Sequence, residues 1–566
     1  MARRRRSSSS SPRPRAGSVL QVSSRSRSRR PRARGHSRRT GGGRGFGGVL
    51  RVLLVVLVLA AVVVGGVLLY RALTGNNAGR REAAQRYTTA WAGAQWAAMW
   101  QNLTPTARAA YPEARFTAAY RSAYRAAGVR SVSIVKLGQE SGGQIPVAVR
   151  FGTLDFGTLA GTIVLPVSGS DTTAGVDWNP SLRLPGLRPG EVVHRLSGPQ
   201  PQRASILAAD GSPLDATALG AGIAGATSPK LTGLQRIYDR RLAGHPSEKL
   251  LYGKRVIASV PEVAGQTLNT TIKPRLMAAA ASALGAQLGG VAVMRPSDGA
   301  VLATARLAVS APQPPGSTFK IITVSTALQD RVATPSTTFP DASAATLAGV
   351  QLRNAGGEVC GGTLTQAFIV SCNSVFAPLG AKLGAKRLVA GARAFGFDEQ
   401  PRIPAAKPST ISPPSQLKDD LAVGAAAIGQ DRDLATPLEM VSAGATIAND
   451  GLRIRPRITT IDPIVSRRVV SPEVAHEVRS MMIGVVQSGT GTAAAIPGVT
   501  VAGKTGTAEL VPNSSNPKDS DAWFVAFAPA LNPRVAVGVM LVGAGFGGAT
   551  AAPIARQVLE AALAGR

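Results

Sequence analysis

The longest apolar stretch of the chain is residues 52–70, nineteen positions of Val, Leu, Ala, Gly and one Tyr without a charge, bracketed by Arg51 and Arg71. A run of that length predicts a single transmembrane helix. Beyond it the hydrophobic period shortens. Tyr87, Trp91, Ala94 and Ala98 fall on one helical face with Trp100 nearby, so helices are expected over about 79–124, with the tryptophans in the core. Segments 132–135, 145–149 and 161–165 then read as strands separated by Gly and Ser turns. Helices followed by a strand series predict a compact α+β unit over 79–190. Residues 194–286 are looser, with short extended pieces and an Ala-rich helix at 275–284. Strands at 290–294 and 301–303, joined by the turn Pro296-Ser297-Asp298-Gly299, open a last unit over 287–566 that alternates helices and strands down to an Ala-rich helix at 552–564. The expected fold class is therefore multidomain α+β behind one membrane helix.

Charge changes this picture only at the N-terminus. The net charge of +33 points at first to nucleic acid, yet sixteen of the 64 basic residues precede Val52 with no acidic residue among them, about half of the excess. Residues 1–51, rich in Arg and Ser, are expected to be a disordered cytoplasmic tail, either a topology signal or an interaction segment. The positive-inside rule then places everything after 70 outside the cytoplasmic membrane. A cleaved signal peptide is the rival reading, but Leu73-Thr74-Gly75-Asn76-Asn77 offers no small-residue cleavage site. No nucleic-acid partner is expected. Two cysteines, Cys360 and Cys372, are too few for a disulfide scaffold. Outside the membrane they can form one bridge across a short loop; two separate buried thiols are the alternative.

Candidate chemistry concentrates in the last unit. In Pro315-Gly316-Ser317-Thr318-Phe319-Lys320 the Pro-Gly pair precedes apolar residues at helical spacing, so Ser317 is expected at a helix N-terminus with Lys320 on the same face. A desolvated lysine three residues from a serine can take its proton, and first-turn amides can hold an oxyanion. Ser371-Cys372-Asn373 offers a hydroxyl for proton relay and an amide for substrate backbone. In Lys504-Thr505-Gly506-Thr507 strand alternation places Lys504 and Gly506 on one face and Thr505 and Thr507 on the other, with Gly506 expected to leave room for a substrate along the strand edge. Singly these motifs are weak: Ser415-Gln416-Leu417-Lys418 and Ser514-Ser515-Asn516 match the same patterns. Only Ser317, Ser371 and Lys504 stand in the right order, 54 and 133 residues apart.

That ordered set resembles the three motifs of penicillin-binding proteins and serine β-lactamases. Thr267-Leu268-Asn269-Thr270, Val291-Ala292-Val293-Met294, Ile428-Gly429-Gln430, Leu434-Ala435-Thr436-Pro437, Ala522-Trp523-Phe524 and Gly233-Leu234-Gln235-Arg236-Ile237-Tyr238-Asp239 resemble further landmarks of the class B proteins. Arg203-Ala204-Ser205-Ile206 with Asp210-Gly211 is similar to the pedestal signature, but Ala208 and Ala209 stand where an Asp-Arg pair is usual, which puts a local salt bridge in doubt. Residues 80–190 are similar to the nuclear-transport-factor-like domain of the MecA-type subgroup. The resemblance implies a small cone-like α+β domain at 79–190, an irregular pedestal or dimerisation-type domain at 194–286, and a penicillin-binding transpeptidase domain at 287–566 built as an antiparallel sheet flanked by helices.

It further implies peptidoglycan D,D-transpeptidation: Ser317 acylated by a D-Ala-D-Ala stem peptide, Lys320 as base, Ser371 and Lys504 handling the leaving-group proton, and Asn373, Thr505, Gly506 and Thr507 binding substrate. The implied partners are stem peptides as donor and amine acceptor, β-lactams, the membrane and a separate glycan polymerase, with no cofactor. A β-lactam sensor, carboxypeptidase or β-lactamase of the same fold, or a catalytically weak scaffold, are the alternatives. His36, His194, His245 and His476 lie in no metal-ligand spacing, Glu509 reads as structural, and no glycosyltransferase-like acidic motif precedes Ser317, which favours a monofunctional enzyme.

Overall fold

The structure, a computed structural model, describes residues 47–511, 514 and 516–565; the side chains of 47–57, 68–77 and Asp171 lie outside that description. The expectation for 1–46 falls outside the described residues. Helix α1 (Gly47–Ala92) carries the backbone of the uncharged run without a break. Side chains 52–57 and 68–70 of that run lie outside the description, and among the described residues no helix is long and apolar enough to cross a membrane.

The end of α1 and helix α2 (Glu113–Ala127) cover a four-stranded antiparallel sheet, β1 (Val129–Leu137), β2 (Gln144–Thr153), β3 (Thr158–Ser168) and β4 (Gly175–Val176), in sequential order. Gly128 ends α2 in the left-handed region at φ 64°, turning the chain directly into β1. Aromatic rings fill the space between helices and sheet: Tyr87 and Tyr120 share a hydroxyl hydrogen bond of 2.7 Å, and the indole N–H groups of Trp91 and Trp178 donate to Tyr124 and Tyr120. Buried polar tips thus find partners within the core, which leaves the rings free to contribute apolar packing.

The stretch after 190 has no core of its own. Strand β5 (Val193–Ser197), β7 (Glu248–Tyr252) and β8 (Arg255–Val260) form a three-stranded sheet whose Val193, Leu250 and Tyr252 join the core of the first unit. Strand β6 (Ile206–Leu207), paired in parallel with β9 (Leu268–Asn269), joins the core of the last unit instead. The alanines at 208 and 209 are compensated elsewhere: Arg203 donates to Gln235 Oε1 at 2.6 Å, Gln235 O at 2.8 Å and Asp239 Oδ1 at 2.7 Å, joining the two sequence landmarks of this region.

The last unit is built on a five-stranded antiparallel sheet. Helix α3 (Pro274–Leu284) leads into β10 (Gly289–Met294) and β11 (Val301–Arg306), and β14 (Ala502–Glu509), β15 (Ser520–Ala528) and β16 (Val535–Leu541) complete the order β11-β10-β16-β15-β14. Strand β14 is an edge. The sheet lies between α3 with the C-terminal helix Gly547–Ala564 on one face and helices Pro437–Ala448 and Pro472–Gln487 on the other. Strands β15 and β16 are buried at every position, so after Ser520 and Asp521 they read as continuous apolar runs rather than alternating ones. Between β11 and β14 the short pair β12 (Thr338–Ala342) and β13 (Cys360–Thr363) leads into helix α5 (Leu364–Ile369), started by a Thr363–Gln366 capping box, after helix α4 (Lys320–Gln329) and before α6 (Asn373–Leu383).

Candidate active site

Ser317 lies in a 3₁₀ turn, Gly316–Phe319, and the α-helix proper starts only at Lys320. In a 3₁₀ turn residues three apart eclipse, so the serine and the lysine still face alike. The turn is pinned on two sides. Gly316 has φ 53°, its N–H donates to Gly429 O at 2.9 Å, and a Cβ on it would meet Thr507 O at 2.6 Å. Only glycine satisfies both the left-handed backbone and the close approach. Thr318 Oγ1 closes the turn onto Pro315 O at 2.7 Å.

Gly506 has a role different from the expected one. A Cβ there would meet Pro315 O at 2.8 Å and Thr318 Cγ2 at 2.9 Å, so this glycine lets the nucleophile turn pack against β14 rather than opening space on the substrate side. Thr505 and Thr507 face the cleft, as alternation requires. The register sets Thr505 opposite Phe524, Gly506 opposite Trp523 and Thr507 opposite Ala522, which anchors the edge strand to the buried centre of the sheet.

Ser371 follows α5 with φ 65°, a left-handed conformation uncommon outside glycine and a mark of imposed geometry. What imposes it is a cluster of ties behind the loop. Cys360 and Cys372 are joined in a disulfide. Buried Asn354 donates to Ala342 O at 2.7 Å, Glu358 O at 2.8 Å and Ser374 Oγ at 3.1 Å, and accepts from Ser374 N at 2.8 Å. Asn373 Nδ2 donates to Arg353 O at 2.8 Å.

The two lysines converge on this loop and both are fully buried. Lys320 Nζ donates to Ser371 O at 2.7 Å and Asn373 Oδ1 at 2.6 Å and lies 3.4 Å from Ser371 Oγ. Lys504 Nζ donates to Ser371 Oγ at 2.7 Å and Thr505 O at 3.2 Å. The Ser371 hydroxyl therefore bridges two amines. Burial and then the charge of Lys504 hold Lys320 well below the ordinary lysine range, and burial holds Lys504 down to about 7. Rings of Phe376 and Phe368 stand 5.4 Å from the respective amines; this cation–π attraction is about 0.5–2 kcal/mol and does not offset desolvation of an ammonium. A neutral Lys320 spends its two N–H groups on Ser371 O and Asn373 Oδ1 and keeps its lone pair for a proton.

Ser317, Ser371, Asn373, Thr505 and Thr507 all line one cleft of about 510 Å³. Half-buried Ser317 presents an alcohol there, and Ser371 in the same cleft contacts the depressed amines of Lys320 and Lys504, a set of groups suited to nucleophilic acyl transfer. Two contributors were not singled out in the sequence. Thr490 shares a 2.6 Å hydroxyl contact with Thr505, and Asn354 ties the loop that carries Ser371. Glycines on both sides of Thr490 and the Gly356-Gly357 pair after Asn354 were the available signals. Ser514, a chance match in the sequence, also lines the cleft, whereas Ser415 does not.

Comparison with known proteins gives a consistent result. The family described as penicillin binding protein transpeptidase domain matches residues 289–560, and the NTF2-like N-terminal transpeptidase domain matches 80–191. Peptidoglycan D,D-transpeptidase PbpA of Mycolicibacterium smegmatis is 36% identical over 405 residues, spanning 59% of this chain and 79% of its own length. The protein of that name from Mycobacterium tuberculosis is 35% identical over 408 residues, spanning 59% and 80%. Among solved structures, the D,D-transpeptidase domain of a peptidoglycan glycosyltransferase from Eggerthella lenta superposes with a TM-score of 0.57 at 31% identity, covering 65% of this chain and 99% of that one. Penicillin-binding protein A of M. tuberculosis, as a ceftriaxone acyl-enzyme, gives 0.55 at 31% identity over 64% and 99%.

Proposed function

The chain belongs to the class B penicillin-binding proteins and is a peptidoglycan D,D-transpeptidase, and on that premise we propose that Ser317 is its acylated nucleophile, with the chemistry divided between two buried lysines. Neutral Lys320 takes the Ser317 hydroxyl proton as Oγ attacks the carbonyl between the two terminal D-alanines of a stem peptide. The N–H groups of Ser317 and Thr507 hold the oxyanion. As the C–N bond breaks, the leaving D-alanine amine takes a proton passed through Ser371 and Lys504, and an ester on Ser317 remains. Asn373 and Thr505 hold the donor amide and carboxylate, with Thr507 beside them and Gly506 serving the turn behind. The amine of a second stem peptide then attacks the ester, gives up a proton to the same relay, and returns Ser317 to its hydroxyl form. The observation that carries this assignment is the Ser371 hydroxyl between Lys320 and Lys504, both buried, in the cleft that Ser317 lines.

We read residues 52–70 as a single-pass anchor in a bacterial cytoplasmic membrane with 1–51 inside. The nineteen uncharged positions and the Arg-rich flank support this. A separate glycan polymerase as partner is supported by the lack of an acidic polymerase-like motif in the sequence between that run and Ser317. In a transpeptidation assay with a D-Ala-D-Ala peptide and an amine acceptor, the expected products are free D-alanine and an amide-linked dimer, with a penicillin adduct that persists for hours. Hydrolysis without dimer, or turnover of the penicillin within seconds, would refute it in favour of carboxypeptidase or β-lactamase activity.

A further inference from the structure

Two threonines of β14 line the cleft, and the protein fixes their hydroxyls differently. Thr507 Oγ1 accepts from the backbone N–H of Gly547 at 3.4 Å, and an amide N–H can only donate. The single proton of Thr507 is therefore left for whatever enters the cleft. Buried Thr505 has no such backbone donor. Among the described residues the partner of its hydroxyl is a second hydroxyl, Thr490 Oγ1 at 2.6 Å, and either oxygen can be the donor.

The direction of that bond decides what Thr505 offers a substrate. If Thr505 donates to Thr490, its lone pairs face the cleft and repel an anion. If Thr490 donates, the Thr505 proton is free for the cleft, and the two bonds run head to tail, each polarising the other. A carboxylate at Thr505 is compatible only with the second arrangement. The backbone of Thr490 is held for it on two sides. Its N–H donates to Ile369 O at 3.4 Å, at the end of α5 and two residues before Ser371. Its carbonyl lies so close to Gly548 that a Cβ there would come within 2.2 Å of the oxygen. The Thr490 side chain is itself exposed in the cleft wall, so its own lone pairs need no protein partner. Two threonines in contact across neighbouring segments are ordinary packing. A pair in which one hydroxyl is buried on the edge strand of the cleft, with the other as its partner, is arranged to set the direction of a proton.

We propose that Thr490 is a positioning residue of the acyl-transfer cleft: its hydroxyl donates to Thr505 Oγ1 and so directs the Thr505 proton to the carboxylate of the donor. Thr490 acts through Thr505 and takes no part in the bond exchange at Ser317. The proposal rests on the transpeptidase reading and on the place that reading gives Thr505.

Acylation of the purified full chain is followed by intact-mass spectrometry with benzylpenicillin and with its methyl ester, which lacks the anion. Saturating label on each variant reports that it is folded. The wild type is expected to prefer the acid. Thr490→Val lowers the acylation rate for the acid roughly fivefold, the order of lost orientation and polarisation at one hydrogen bond to a charged group, and leaves the ester within about twofold. Thr490→Ser keeps the donor and restores the preference. In both variants the acid limb of the pH profile, set by Lys320, stays in place. Thr490→Ala repeats the test if Thr490→Val does not fold. An acid-to-ester ratio unchanged in Thr490→Val, a displaced acid limb, or Thr490→Ser as impaired as Thr490→Val would overturn the proposal while leaving the nucleophile assignment intact. Equal rates for acid and ester in the wild type would remove the carboxylate from Thr505, and the proposal with it. A wild-type chain that penicillin does not label would overturn the transpeptidase reading as well.

Discussion

In the proposed mechanism the chemistry turns on one property of one side chain, the neutrality of Lys320. As a base it works only unprotonated. Its value is depressed, so the neutral form persists to lower pH than for an exposed lysine, and acylation slows as pH falls through the depressed value, by about tenfold per unit on the acid limb. Protonated Lys504 contributes to that depression. Lys504→Met removes a positive neighbour, raises the Lys320 value and moves the acid limb of penicillin acylation to higher pH, whatever it does to the plateau. A limb that stays in place would show that the charge of Lys504 does not act on Lys320. That Ser317, Lys320, Ser371, Asn373, Lys504, Thr505 and Thr507 would meet at one place was legible in the sequence from residue type and order. Asn354 and Thr490 were not. Each acts through a contact with a segment 15 or 20 residues away that only folding reveals.

Among the elements, those with a clear period were legible: the hairpin of β10 and β11, helix α3, and the Ala-rich C-terminal helix Gly547–Ala564. What patterning could not give was how elements press on one another. The 3₁₀ turn at Gly316–Phe319 replaces the expected first turn of α-helix, and Gly506 serves that packing rather than the substrate. The loop carrying Ser371 shows the same dependence. Its left-handed serine is held by Asn354, whose four hydrogen bonds reach backbone and side-chain atoms on both sides. Asn354→Ala leaves buried partners unsatisfied, destabilising by about 1–3 kcal/mol, and it slows penicillin acylation tenfold or more as Ser371 moves off the two amines. A lowered melting temperature with an unchanged acylation rate would show that the disulfide and Asn373 suffice to hold the loop.

At the scale of the molecule, two hydrophobic cores among the described residues account for the order of the chain. One takes the aromatic helices, the first sheet and part of the following strands; the other runs from Ile206 to Leu559 and contains every element that positions the site. A looser hydrophobic pattern at 194–286 suggested a separate unit, but segments that pack on two different neighbours show no periodicity of their own to read. The second core is what brings residues 317 and 371 to one cleft, with Lys504 buried against Ser371 behind it, across sequence separations that no local interaction can span. Peptide mapping by mass spectrometry after treatment with penicillin tests this most directly. One adduct per chain is expected, on the peptide containing Ser317 and lost in Ser317→Ala; an adduct on Ser371, Ser415 or Ser514, or undiminished labelling of the variant, would place the reaction elsewhere.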